Sequence, residues 1–292
     1  MLKNYYQKSF NLNYWGGKKD EWRFNGKNNG SSYEENGDAP VEEKKVCEEA
    51  VVEEKVAFNS TGCGLTEFVG TAMGDTIGLV IANVDYNLHE LMNIDKKFRS
   101  IGIVGGRTGA GPHIFAADEA VKATNSEILL IELPRDTKGG AGHGSLIIFG
   151  AEDVSDARRA VEVTLNELNR TFGDVYGTDA GHLEFQYTAR ASYALNKAFG
   201  APLGKSFGIT VGAPAAIGVL LADTAVKAAN VDIVGYSTPG NGGTSYSNEV
   251  ILTFSGDSGA VRQSIIAARE VGKQVLGTLS SDEIVSSTVP YI

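Results

Sequence analysis

The chain has 292 residues, enough for roughly two domains of ~100–200 residues each, and its apolar and charged fractions, 42% and 21%, are those of an ordinary globular protein. A formal net charge of −10 excludes a nucleic-acid partner held by a basic face. No apolar run reaches the ~18 residues of a membrane-spanning helix, residues 1–30 lack the apolar stretch of a signal peptide, and Cys47 and Cys63 do not have the CxxC spacing of a thiolate metal site.

With no membrane segment and no secretory signal, the chain reads as cytoplasmic, a reducing compartment where a Cys47–Cys63 disulfide is not expected. Residues 1–60 are rich in Asn, Gly and Lys and then in Glu–Lys runs such as Glu42-Glu43-Lys44-Lys45. Such a segment buries too little apolar surface to offset its ordering entropy, so it reads as a flexible N-terminal extension. Its aromatic residues Tyr5, Tyr6, Trp15, Trp22 and Phe24 are the alternative, a patch that docks on another protein.

From Gly64 the pattern becomes that of a packed domain. Residues 65–71 read as a strand, and 77–91 as an apolar segment of open type. Arg99 to Gly105 alternates small and β-branched residues, as a strand beside close-packed backbone does. Pro112 suits the first turn of a helix that runs to about Thr124. Strands follow at 127–133 and 145–149. The next helix starts near Val154 and lines up Val154, Ala157, Val161, Leu165, Leu168 and Phe172 on one stripe.

The same order then returns: a strand at 183–187, a helix at 189–199, a strand at 205–211, a helix opened by Pro214, and strands at 231–236 and 249–254. A last helix places Val261, Ile265, Ala268, Gly272 and Val275 along one side. The repetition is literal in places. Ala117-Asp118-Glu119-Ala120-Val121-Lys122-Ala123-Thr124-Asn125 recurs as Ala222-Asp223-Thr224-Ala225-Val226-Lys227-Ala228-Ala229-Asn230. Ser100-Ile101-Gly102-Ile103 likewise pairs with Ser206-Phe207-Gly208-Ile209. Self-similarity over this distance means two copies of one α/β unit. Their boundary reads near Gly173–Gly181, which gives an extension at 1–60, domains at 61–176 and 177–280, and a C-terminal tail at 281–292.

Catalytic patterns fail on their spacing. Gly200-Ala-Pro-Leu-Gly204-Lys205-Ser206 has three residues between its glycines where a phosphate-binding P-loop needs four, and it leads into a strand rather than a helix. Gly105-Gly106-Arg107-Thr108-Gly109-Ala110-Gly111 lies between strand and helix, as a dinucleotide fingerprint would, but Val104 stands where the first glycine is needed. It leaves an anion-binding turn as the alternative function, a small-molecule-binding or catalytic α/β protein. Gly256-Asp257-Ser258-Gly259 imitates a serine-nucleophile string, but helix capping explains it. His89, His113, His143 and His182 are dispersed, without metal-ligand spacing, and read as turn or surface residues. The chain reads as no enzyme, with no cofactor and no metal. Two glycine-rich polar loops occupy equivalent places, 134–144 and 237–248, either as plain surface connections or as the lining of an opening.

The phrase from Ala222 to Tyr236, a glycine-rich loop, Val250-Ile251-Leu252 and Gly256-Asp257-Ser258-Gly259-Ala260-Val261 closely resemble the bacterial microcompartment (BMC) shell domain. A strand and helix precede the shared phrase in both copies, which resembles the circularly permuted form of that domain in tandem, as in shell proteins of propanediol and ethanol utilisation. The resemblance implies a homotrimer that forms a flat pseudohexagonal tile, meets other BMC shell proteins edge to edge, and sits in the microcompartment shell of a bacterial cytoplasm. It implies tile-edge contacts at Lys122, Asn125, Lys227 and Asn230. It places Arg135, Asp136, Thr137, Lys138, Gly139, Gly140, His143, Thr238, Gly240, Asn241, Gly242 and Gly243 at the pore-loop position, where a small polar solute such as a diol would pass. It also implies that the N-terminal extension tethers the encapsulated enzyme core.

Overall fold

A computed structural model describes residues 64–134, 143–244, 247–280 and 283–292. The expectations for residues 1–60 and for Arg135, Asp136, Thr137, Lys138, Gly139 and Gly140 lie outside the described residues. Two five-stranded antiparallel sheets each carry helices. The first holds β1 (Phe68–Ala72), β2 (Thr76–Ile81), β3 (Ser100–Gly106), β4 (Glu127–Glu132) and β5 (Ser145–Ala151) in the order β1-β2-β3-β5-β4. The second holds β6 (Val175–Thr178), β7 (Gly181–Thr188), β8 (Ser206–Ala213), β9 (Val231–Ser237) and β10 (Val250–Gly256) in the order β6-β7-β8-β10-β9. The registers match: Ser100 lies opposite Ala151 and Gly106 opposite Ser145, as Ser206 lies opposite Gly256 and Gly212 opposite Val250.

The helices repeat as well: α1 (Tyr86–Leu91), α2 (Ala110–Ala123) and α3 (Val154–Thr171), then α4 (Tyr193–Phe199), α5 (Ala215–Ala228) and α6 (Ser258–Leu276). The stripe of α3 is buried on its sheet through Ala157, Val161, Leu165 and Leu168, while Val154, expected on it, is exposed at the first helical position. The glycine of the repeated strand phrase makes that approach possible. A Cβ on Gly102 would stand 2.6 Å from the carbonyl oxygen of Ala157, and Gly208 is pressed in the same way by Val261 and Ile265 of α6.

Three elements differ from the sequence expectation. The open segment at 77–91 divides into β2 and α1, because Asp85 accepts a hydrogen bond from the Asn87 N–H and caps a helix there. The helix expected from residue 189 begins only at Tyr193, since Thr188 and Arg190 form a side-chain-bonded turn first. The stretch read as the domain boundary contains β6, paired with β7 from Val175 opposite Glu184 to Thr178 opposite Gly181, so the second sheet begins at Val175.

The last residues are also part of the fold. Ser286 bridges to Tyr176 at the sheet edge, the Ser287 N–H donates to the Val175 carbonyl, and Ile292 is buried in the core of the second domain. Among the described residues no helix is long and apolar enough to cross a membrane.

Candidate functional site

The two domains share one core. Phe115, Ala116, Ala117 and Ala120 of α2 are buried in a cluster that continues into Ala191, Ala194, Leu195, Phe207, Ile209 and Val211 of the second domain. Phe115 stacks on Phe207 at 6.2 Å between ring centroids. The alanine-rich face of α2 is what admits this closeness, because small side chains let the helix lie directly on the neighbouring sheet.

Polar groups fix the register of the seam. Asp118 is fully buried and accepts hydrogen bonds from the backbone N–H groups of Ser192, at 3.0 Å, and Leu195, at 3.2 Å. Ser192 itself makes no side-chain cap bond, so the carboxylate that caps α4 comes from the other domain. Lys122 closes the arrangement with its Nζ 2.9 Å from Asp118, 2.8 Å from Glu119 and 3.5 Å from the Thr188 hydroxyl.

The duplicated residues in the second domain have the opposite fate. Asp223 is 52% exposed where Asp118 is 0%, and Ile233 is 60% exposed where Ile128 is 9%. Val219 and Leu220 are exposed where Ile114 and Phe115 are buried, and Lys227 pairs at 2.7 Å with Asp223 on the open surface. The first domain in turn leaves uncovered the face that its duplicate uses to receive α2. There Val84, Ile101 and Ile148 form a small cluster with only partly buried Leu88, Met92, Ile94 and Ile103, and Leu91 is 84% exposed. One contact is therefore made inside the chain, and its two halves are left open at opposite ends.

All four expected edge residues, Lys122, Asn125, Lys227 and Asn230, are exposed, and the Lys122 side chain runs along the internal seam. Of the described loop residues, Asn241 organises its own turn. Its Oδ1 accepts from the N–H groups of Thr238 and Gly243, and its Nδ2 donates to the Tyr236 carbonyl, all at 2.9 Å. Gly240 and Gly243 are exposed, and Gly242 has φ +75°, a conformation that favours glycine.

His143 departs from the expectation. It is buried, with Nδ1 3.1 Å from Glu249, and its carbonyl accepts the N–H of Ala110. The other three histidines are buried too, each with its own contact. His89 Nε2 meets the Phe98 carbonyl, His113 bridges the Gly109 carbonyl and the Thr76 hydroxyl, and His182 stands 3.2 Å from Glu249. None is a surface residue: His143 and His182 are held by Glu249 from a distant part of the sequence, His113 by Thr76 and its own helix terminus, and His89 by the Phe98 carbonyl nine residues on. Burial lowers the His113 ring to about 4.

The glycine-rich turn at 105–111 does not form an anion site. A Cβ on Gly111 would coincide with the Glu184 carboxyl, 1.6 Å from its Oε1, so an acidic side chain already fills the helix N-terminus where an anion would sit. Among the described residues no group of three or more His, Cys, Asp or Glu side chains could hold a metal.

A tandem of permuted α/β units with one seam made and its two halves left open is the architecture of a tile-forming protein. The comparisons agree. The BMC domain matches residues 100–178 and 206–288, and the chain is 65% identical over 244 residues to bacterial microcompartment shell protein PduB of Citrobacter freundii, covering 84% of this chain and 90% of that protein. Two solved structures superpose with a TM-score of 0.75 over 78% of this chain. They are EtuB from Clostridium kluyveri, 56% identical over 99% of its length, and a trimeric bacterial microcompartment shell protein PduB, 51% identical over its whole length. The chain belongs to the BMC-domain family, among its PduB-type shell proteins.

Proposed function

We propose that three copies of this chain close head to tail into a pseudohexagonal tile of a microcompartment shell, and that the tile passes small polar metabolites such as diols. The observation that carries the reading is the half-made seam. A heterologous contact repeated by rotation closes into a ring, and the exposed α5–β9 face of one copy fits the uncovered Leu91–Met92 face of the next, as α2 and β4 fit the second domain within the chain. The trimer of the solved PduB relative supports three copies. The second loop would line an opening through its exposed Gly240, Asn241 and Gly243, and the first loop by its equivalent place in the repeat. The N-terminal extension would tether the enzyme core, and other shell proteins would meet the tile edges.

Placing carboxylates at Leu220 and Ile233 (Leu220→Asp with Ile233→Asp) buries unpaired charge only in the assembled ring. The expected result is a folded monomer by light scattering, with association weakened by about a hundredfold or more. A trimer of unchanged strength would overturn the head-to-tail reading. Lys227→Ala tests the tile edge. Flat sheets in negative-stain images at high concentration are expected to be lost; because Lys227 has in the second copy the place that Lys122 has along the seam, the trimer is expected to weaken with them, and sheets lost from a trimer of full strength would assign Lys227 to the tile edge alone. Lys122 is the poorer probe, because its removal also strips a partner from buried Asp118.

A further inference from the structure

The internal seam contains a group of titratable side chains that neither tiling nor passage of solutes requires. His143 precedes β5, His182 and Glu184 lie on β7, and Glu249 precedes β10; all four are buried. We propose that this cluster is a proton-locked joint: a proton held on Glu184 keeps β7 closed on the first turn of α2, and its loss loosens the two domains without unfolding either.

The geometry singles out Glu184. Its carboxyl rests on the Cα of Gly111, so it is clamped between its own strand and the helix of the other domain. The two imidazoles within ion-pair distance are both engaged by the other carboxylate, one at each oxygen of Glu249. His182 Nε2 is poorly aligned for a hydrogen bond there, and His143 Nε2 has no hydrogen-bond partner. Burial pushes the Glu249 carboxyl up, but the imidazoles outweigh it and hold the group ionised, at about 2. Burial, and then the neighbouring charge of Glu249, push Glu184 up to about 8. The other titratable groups on the packed elements are His113 on α2, neutral through its burial, Arg107 in the turn before α2, and Tyr291 of the C-terminal segment, whose phenol burial pushes up.

The direction of the effect follows from linkage. The closed joint binds the proton more tightly than an open, hydrated one, whose carboxyl returns to its ordinary value near 4.5. The ratio of open to closed joint then rises about tenfold per pH unit from roughly 4.5 to 8 and levels off above that. Ionised Glu249 contributes no change in the same window, because its own loss of charge comes only as pH falls toward about 2.

Hydrogen exchange on the full chain, corrected for the intrinsic rate, reads the joint directly. Peptides covering 109–114 and 181–187 are expected to open roughly a hundredfold more often at about pH 7.5 than at about pH 5.5. In Glu184→Gln the same peptides should show no such dependence. Infrared spectra give a second readout that does not depend on the variant's folding. A carboxylic-acid carbonyl band should be present in the unaltered protein at neutral pH and disappear above about pH 8. Three results would each overturn the joint: an identical pH profile in Glu184→Gln, no such band, or acceleration shared equally by the interior of α6.

Discussion

Asp118→Ala is expected to destabilise the folded chain by on the order of 3–5 kcal/mol, the cost of removing one partner from a buried charged network. The residue is fully buried and serves three groups at once: two backbone N–H donors of α4 and the Lys122 ammonium. The four N–H groups that open any helix need partners, and α4 is too short to tolerate fraying of its first turn. With alanine in place, the N–H groups of Ser192 and Leu195 would face an apolar seam with no acceptor, and water could reach them only by parting α2 from α4. Urea unfolding measures the loss. The Asn variant keeps one acceptor oxygen and should lose roughly half as much. A change below about 0.5 kcal/mol in the Ala variant, the size of an ordinary surface substitution, would mean that the seam is held by its apolar contacts alone.

The same aspartate shows where sequence reading stops. Both copies of the repeated phrase carry it, and the phrase with the elements beside it reveals duplication, permutation and family, since those depend on residues close together in the chain. Nothing local separates Asp118 from Asp223, yet one is sealed in a seam and the other is open to water. That difference arises only when two units pack, and the sequence presents each unit alone. The buried histidines escaped for a related reason: His143, His182 and Glu249 come from three separate parts of the chain, and only the meeting of two domains collects them. The strand β6 was hidden by its composition. Val175-Tyr176-Gly177-Thr178 is four residues long and lies in a glycine-rich stretch that reads as a boundary, yet Val175 and Tyr176 are buried on opposite faces of the strand, one in each of two core clusters. The glycine-rich turn at 105–111 misled in the opposite direction, because a dinucleotide-like pattern and a glycine that makes room for Glu184 look alike in sequence.

Asp174→Ala should match the seam variant in size, on the order of 3–5 kcal/mol, and it tests a part of the chain that reads as a mere tail. Asp174 is fully buried. One of its oxygens accepts from Arg269 at 2.7 Å and from the Tyr176 hydroxyl at 3.2 Å, and the other from the N–H groups of Tyr291 at 2.9 Å and Ile292 at 3.0 Å. Arg269 also donates to the Ile292 carbonyl at 2.8 Å, and Arg170 of α3 lies 4.8 Å above the Tyr291 ring. The segment thus runs from the first domain's last helix to the second domain's last helix, with one carboxylate as its anchor. Burial and then the Asp174 charge raise the Tyr176 phenol to about 12, so the variant should also bring that titration down, visible by tyrosine absorbance. Hydrogen exchange at residues 286–292 should rise toward that of an unstructured peptide. The Asp174→Asn variant separates charge from shape. It can still accept the two N–H groups but removes the buried counter-charge of Arg269, leaving it only the exposed Glu270 at 3.5 Å, so it should keep the segment docked while losing much of the stability. If instead the segment comes loose in the Ala variant with no loss of global stability, the docking is an appendage to the second domain and not part of what joins the two.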